Sequence, residues 1–451
     1  MQNIYKKLPK MDEIIERFKD HPKNLLKYIS TNILEDYREK IKSGFVDFEM
    51  EDVFSSIEKN LNNEEYFSLR RAINASGVII HTNLGRSIVP QFALDRIEQV
   101  SKGYMNLEYN IEKGERGSRY DHLRKIVCEL TGAEDALLVN NNAAAVFLML
   151  NTFCQGSEVI VSRGELVEIG ESFRINEIMG RSGAILKEVG STNRTHLYDY
   201  ENAVTENTKA LMKVHPSDYK VVGFTKEVTA SELKGLAKEN DLLILEDLGS
   251  GSLINMSKFG LSDERTVKDS IREGVDLVSF SCDKLLGSVQ GGIIVGRRDL
   301  IAKIRKNQLL RAFRVGKLTI MALEATMIKF LDEDVAIREI PTLRMIAKTK
   351  EDILKSAEEL KKVAKAALPN FEIEIEECNS KVGGGTYPVD TLPSYAVSFK
   401  TDDIMKFESY LRLSRHHIIA TVRDNKLYMD LRCIQDDEIS MIEEILKEYK
   451  N

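Results

Sequence analysis

No run of about 18 consecutive apolar residues occurs anywhere in the chain, so a membrane-spanning helix is not expected. The first ten residues, Met1–Lys10, are polar and lack the apolar stretch of a secretory signal. Cysteine is scarce and scattered: Cys128, Cys154, Cys282, Cys378 and Cys433 are odd in number and form no CxxC pair. A disulfide framework and a structural metal site are therefore not expected, and a reducing compartment is. A basic excess is also missing. The net charge is -7, which argues against a generic polyanion binder, so a nucleic-acid partner needs a local basic surface. Internal repeats and low-complexity tracts are absent. These absences leave a cytoplasmic enzyme with no metal and no membrane as the expectation.

What is present is ordinary globular material: 43% hydrophobic and 30% charged residues in 451, enough for two or three domains at roughly 150 residues each. Residues 1–70 read as a small helical domain. Apolar residues recur at helical spacing through Met11, Ile14, Ile15 and Phe18, and again through Val53, Ile57 and Leu61. Its first part carries a modest basic excess (Lys6, Lys7, Lys10, Arg17, Lys19, Lys23, Lys27), which a solvated helix face also explains.

From about residue 71 the texture changes. Short apolar runs alternate with helix-length segments: 136–139, 158–161, 184–186, 210–214, 242–245, 277–280 and 292–295. Seven such runs predict an α/β domain over 71–330 with a mostly parallel, buried sheet. One long helix is expected from Arg298 to Phe330. Residues 331–451 read as an α+β domain with a turn at Gly383, Gly384 and Gly385.

Three strand ends carry chemistry. The run 242–245 ends in Glu246 and Asp247, and an acid at the carboxyl end of a parallel strand faces the ligand crevice. The run 277–280 ends in Ser281, Cys282, Asp283 and Lys284, with Gly287, Gly291 and Gly292 following. The run 136–139 ends in Asn140, Asn141 and Asn142, and a helix opens with Ala143, Ala144 and Ala145. A pyridoxal 5'-phosphate (PLP) enzyme needs these three parts. A carboxylate holds the pyridine nitrogen protonated (Asp247), a lysine forms the Schiff base (Lys284), and a helix N-terminus with free amides cradles the phosphate (Asn141, Asn142, Ala143). No GxGxxG or Walker A motif competes at that turn.

Longer stretches then bear a resemblance. Residues 73–86, 106–109, 113–122, 140–145, 162–170, 192–196, 246–252 and 283–287 are similar to the bacterial selenocysteine synthases, the L-seryl-tRNA(Sec) selenium transferases, and the likeness spans nearly the whole chain. The resemblance implies a fold-type-I PLP transferase with an added N-terminal helical domain that binds tRNA. It also implies a ring-shaped homo-oligomer, a pentamer of dimers. The implied reaction replaces the hydroxyl of L-seryl-tRNA(Sec) with selenium from selenophosphate, through a dehydroalanyl-tRNA held on the cofactor, as a step of selenoprotein synthesis.

By motif match, Arg86, Arg311 and Arg314, with Arg119 in support, are expected to hold selenophosphate, because guanidinium groups grip phosphate bidentately. Lys284 is expected to take the α-proton, with Asp283 tuning the lysine or the donor site. His81 and His122 are expected near cofactor or substrate or in structural hydrogen bonds, and Cys282 as a small buried hydrophobe. The chain departs from the family pattern at Cys282 (usually Gly), at Ser288 and Val289 (usually Gly-Pro), at Ser191 (usually Thr) and at Gly316 (usually Asp). Two other readings stay open on the residues alone. One is a related PLP lyase or transferase acting on a free amino acid or amino sugar phosphate. The other is an inactive tRNA-binding homologue.

Overall fold

The computed structural model describes residues 4–44, 47–62, 67–169, 173–216 and 219–450. Parts of the expected helical region (1–3, 45–46, 63–66) and Gly170, which ends one of the family-like stretches, lie outside the described residues. The chain divides into two compact units, Met1–Arg71 and Ala72–Asn451.

The first unit is helical: α1 (Met11–Arg17), α2 (Lys23–Lys42) and α3 (Met50–Asn62). The apolar residues at helical spacing form its core, with Ile14, Leu26, Ile29, Val53 and Ile57 almost fully buried. The Arg17 guanidinium lies over the Phe54 ring, 4.3 Å from its centre.

The second unit is built on a seven-stranded sheet: β1 (Asp135–Val139), β2 (Glu158–Ser162), β3 (Ile185–Val189), β4 (Thr208–Val214), β5 (Leu243–Gly249), β6 (Leu277–Ser281) and β7 (Gly292–Gly296). Their order is β1-β7-β6-β5-β4-β2-β3. Each strand coincides with one of the apolar runs. β7 alone runs against its neighbours, and the pairings among β6, β5, β4, β2 and β3 are parallel. β1, β6 and β7 are buried at every residue, as strands covered on both faces by helices must be. Two hydrophobic clusters, one on each side, fill those faces.

The segment expected as one helix from Arg298 to Phe330 is broken. Helices cover Arg298–Ile304 and Lys317–Lys329, with a 3₁₀ turn at Gln308–Arg311 between them. Asn307 causes the break: its side-chain oxygen accepts from the Leu309 amide at 3.0 Å, and its amide nitrogen donates to Asn151 and Thr152. An asparagine that bonds local backbone in this way offers it an alternative to helix.

The C-terminal part carries an antiparallel sheet. The long strands β8 (Glu372–Gly383) and β9 (Thr386–Lys400) are joined by the glycine turn, and β10 (Thr421–Arg423) and β11 (Lys426–Asp430) complete it. This turn reaches back to the segment 78–80: the Ile80 amide donates to the Val382 carbonyl at 2.7 Å. A Cβ at Gly384, whose φ is +62°, would sit 2.4 Å from Ile80 Cγ2, so glycine is required there.

Candidate active site

The carboxyl ends of β1, β4, β5 and β6 meet on one edge of the sheet, where ligands of open α/β folds bind. Register does this: Asp247 on β5 lies beside Val214 on β4 and Ser279 on β6. The edge opens into a cavity of about 280 Å³ whose lining includes Asn141, Asn142, Ala143, Asp247, Asp283 and Lys284.

Asp247 is 4% exposed. Its Oδ1 accepts from Asn142 Nδ2 at 2.7 Å and from the Gly249 amide at 3.1 Å. Burial pushes its carboxyl upward in pKa, and the Asn142 bond and the nearby Lys284 charge oppose that shift. Both hydrogen-bond donors are neutral, so the carboxylate charge is available to a cationic ring nitrogen.

Lys284 follows β6 and is also buried. The turn that carries it is held by Ser87, whose hydroxyl lies 2.9 Å from the Asp283 carbonyl and 2.8 Å from that of Lys284. Asp283 is paired with Arg86, Nη1 to Oδ2 at 2.7 Å. Arg86 sits in the left-handed backbone region (φ 63°), and its amide donates to the His81 carbonyl at 3.0 Å. A non-glycine residue held there marks a turn that its surroundings over-determine.

The expected phosphate cradle falls at the start of α4 (Asn142–Phe153). Asn141 is its N-cap, and Asn141 Oδ1 accepts from the Ala144 amide at 2.8 Å. The Asn142 and Ala143 amides have no acceptor within the helix and stand at its positive end. Gly292 on β7 permits this, since a Cβ there would lie 2.2 Å from the Asn141 carbonyl oxygen.

The residues fit PLP: a buried carboxylate for the ring nitrogen, an amine for the aldehyde and free helix amides for the phosphate. Two buried polar atoms on the lining, Asn142 Oδ1 and His215 Nδ1, have no partner among the described residues, as expected of groups that a ligand satisfies.

The other expected site residues are dispersed. Arg86 lines the cavity and Arg119, Arg311 and Arg314 do not. Arg119 is held by Glu108 at 2.7 Å and by the Val315 carbonyl at 2.8 Å, and Arg311 and Arg314 are exposed. His122 bonds the Leu107 carbonyl at 3.1 Å, and neither it nor His81 lines the cavity. Cys282 is fully buried and burial pushes its thiol well up, so it packs as a hydrophobe. Ser288 is buried with its hydroxyl 2.9 Å from that of Thr326. Among the described residues, no cluster of His, Cys, Asp and Glu suits a metal ion, and no helix is long and apolar enough to cross a membrane.

Sequence reasoning missed four parts of the lining: Thr82, His215, Gln290 and the Gly384–Gly385 turn. Only His215 had a signal, as the residue directly after a strand of the parallel sheet. Its imidazole is half-buried, and desolvation pulls its pKa down.

The family model of the L-seryl-tRNA selenium transferases matches residues 72–435. The chain belongs to that family. An L-seryl-tRNA(Sec) selenium transferase of Clostridium perfringens is 46% identical over 456 residues, covering 99% of each chain. That of Geobacter metallireducens is 44% identical, covering 97% of this chain and 98% of the relative. Among solved structures, D-glucosaminate-6-phosphate ammonia-lyase superposes with a TM-score of 0.57 at 18% identity, over 86% of this chain and 97% of that one. The fold is that of the fold-type-I PLP-dependent transferases. The likeness to selenium transferases extends through the N-terminal unit, so the reading as a lyase on a free amino acid or amino sugar phosphate is not favoured.

Proposed function

We propose that this selenium transferase family member converts L-seryl-tRNA(Sec) to L-selenocysteinyl-tRNA(Sec), with selenophosphate as donor and PLP as cofactor. The observation that carries the reading is the meeting of Asp247, Lys284 and the α4 N-terminus around one cavity in a chain 46% identical to such an enzyme. When bound, PLP supplies an electron sink for negative charge at the serine α-carbon.

The protein's own groups do the rest. Lys284 Nζ would hold the cofactor, and as a free amine would take the proton from the serine Cα. Asp247 keeps its charge against the ring nitrogen, and Asn142 fixes its orientation. The Asn142 and Ala143 amides bind the phosphate, with Asn141 holding the helix start. Arg86, aimed by Asp283, meets the selenophosphate anion. Arg119, Arg311 and Arg314 belong to the same basic set; the last two, being exposed, reach a donor bound at the cavity mouth or in an adjoining subunit. The N-terminal unit contacts the tRNA, and the chain works in the cytoplasm as a homodecamer, a pentamer of dimers.

The test is turnover. Purified protein should convert seryl-tRNA(Sec) with selenophosphate and leave free serine unchanged. Equal use of free serine would sink the reading.

A further inference from the structure

A second cavity of about 330 Å³ adjoins the first and shares His215 with it. Its wall is built from segments that the mechanism leaves unused: Arg194 after β3, Tyr219 after β4, Glu264 after β5 and Asp390 on β9. Two buried polar atoms on this wall, outside the part shared with the first cavity, have no partner among the described residues: Arg194 Nε and Glu264 Oε2. Folding leaves such groups bare at a cost, so their convergence on one cavity points to a ligand that satisfies them.

Two of these groups are held in place. The Arg194 guanidinium stacks on the Phe224 ring, 3.9 Å from its centre. Asp390 Oδ1 accepts from the Ser262 hydroxyl at 2.7 Å and from its amide at 3.2 Å, which ties the loop carrying Glu264 to β9. The half-buried Tyr219 ring, its hydroxyl donating to the Gly164 carbonyl at 2.5 Å, offers a flat face. The wall thus combines a carboxylate acceptor, a guanidinium and an aromatic surface. A bare anion such as selenophosphate does not match the acids. A ribose with one free hydroxyl, a phosphodiester and a base matches all three.

Distance points the same way. In a seryl ester the α-carbon lies on the order of 2.5 Å from the ester oxygen of the sugar. With that carbon at Lys284, the terminal ribose lies in the neighbouring compartment.

We propose that the second cavity seats the terminal nucleoside of the seryl-RNA, Glu264 accepting the hydroxyl beside the ester and Arg194 meeting the 5′-phosphodiester. This rests on the function proposed above. The probes are seryl-tRNA(Sec) with a stable 3′-amide link, ending in adenosine or in its 2′-deoxy form, and a third with a neutral methylphosphonate at the last linkage. Binding is read by fluorescence anisotropy on the full-length protein.

The unaltered protein should bind the 2′-deoxy probe about ten-fold more weakly, and Glu264→Met should bind both forms alike. Arg194→Gln should likewise abolish the loss caused by the methylphosphonate, which keeps the proposal testable if the Glu264 variant fails to fold. Losses that simply multiply in both cycles, in protein that turns over seryl-tRNA(Sec), would overturn the seat and leave the proposed function standing. Unaltered protein that does not turn over seryl-tRNA(Sec) would refute that function and the seat with it.

Discussion

Asn142 and Asp247 stand 105 residues apart in the chain, and the amide of one donates to the carboxylate of the other at 2.7 Å. One residue therefore serves two ends of the proposed cofactor: its backbone amide opens the helix that faces the phosphate, and its side chain aims the acid that faces the ring. Hydrogen bonds to charged groups contribute about 1.5–3 kcal/mol. Asn142→Ala should weaken PLP binding roughly ten- to hundred-fold, read by fluorescence titration of the apoprotein, with little change in helix content. Unchanged affinity would show that the bond does not orient Asp247.

Arg86 and Asp283 form the second long-range pair, at 2.7 Å, with Asp283 buried and Arg86 partly exposed toward the cavity. Arg86→Lys keeps a charge and loses the planar fork. The expected outcome is a KM for selenophosphate raised about ten-fold while the KM for seryl-tRNA(Sec) stays as it was. A rise confined to the tRNA would remove Arg86 from the donor site.

Gly316 is the N-cap of the helix Lys317–Lys329 and provides no side chain to cap it. Its backbone is extended (φ -75°, ψ 164°), and a Cβ added there meets nothing within 4 Å. Gly316→Asp supplies a cap and a charge at the positive helix end, and removes freedom from the unfolded chain. Stability should rise by roughly 0.5–1 kcal/mol, seen as a higher denaturation midpoint. A fall would mean that the space is filled in the assembled protein.

Glu264 gives a pH signature. Burial, with Asp390 beside it, pushes its carboxyl up to about 7 from an ordinary 4.5, against the Tyr387 amide and the charges of Lys220 and Lys284. A raised acid favours the folded state while protonated, so this contribution is full below about pH 4.5 and is lost as pH rises through about 7. Its upper bound is about 3 kcal/mol. Between pH 5 and 8 the protein should lose stability that Glu264→Gln retains, as measured by denaturant titration. Parallel pH profiles for the two proteins would contradict this.

The strands were legible because they are local. A buried parallel strand is a short continuous apolar run, so β1 to β7 could be read within a few residues, and with them the acid near the end of β5 and the lysine that follows β6. Long-range chemistry hid the break before Lys317, because the bonds of Asn307 to Asn151 and Thr152 cross more than 150 residues. The motif match grouped Arg119 with Arg86, yet Arg119 is already occupied by Glu108 and a carbonyl, which no spacing reveals.

The sequence alone determined the runs that become the sheet, and the family-like stretches that place Asp247 and Lys284 at strand ends. Tertiary structure decided which strand ends are neighbours. The order β1-β7-β6-β5-β4-β2-β3 brings Asn142, Asp247, His215 and Lys284 to one cavity, and the β8–β9 turn closes it from about a hundred residues downstream. Strand order is set by packing between distant segments, and such pairings leave no period in the chain.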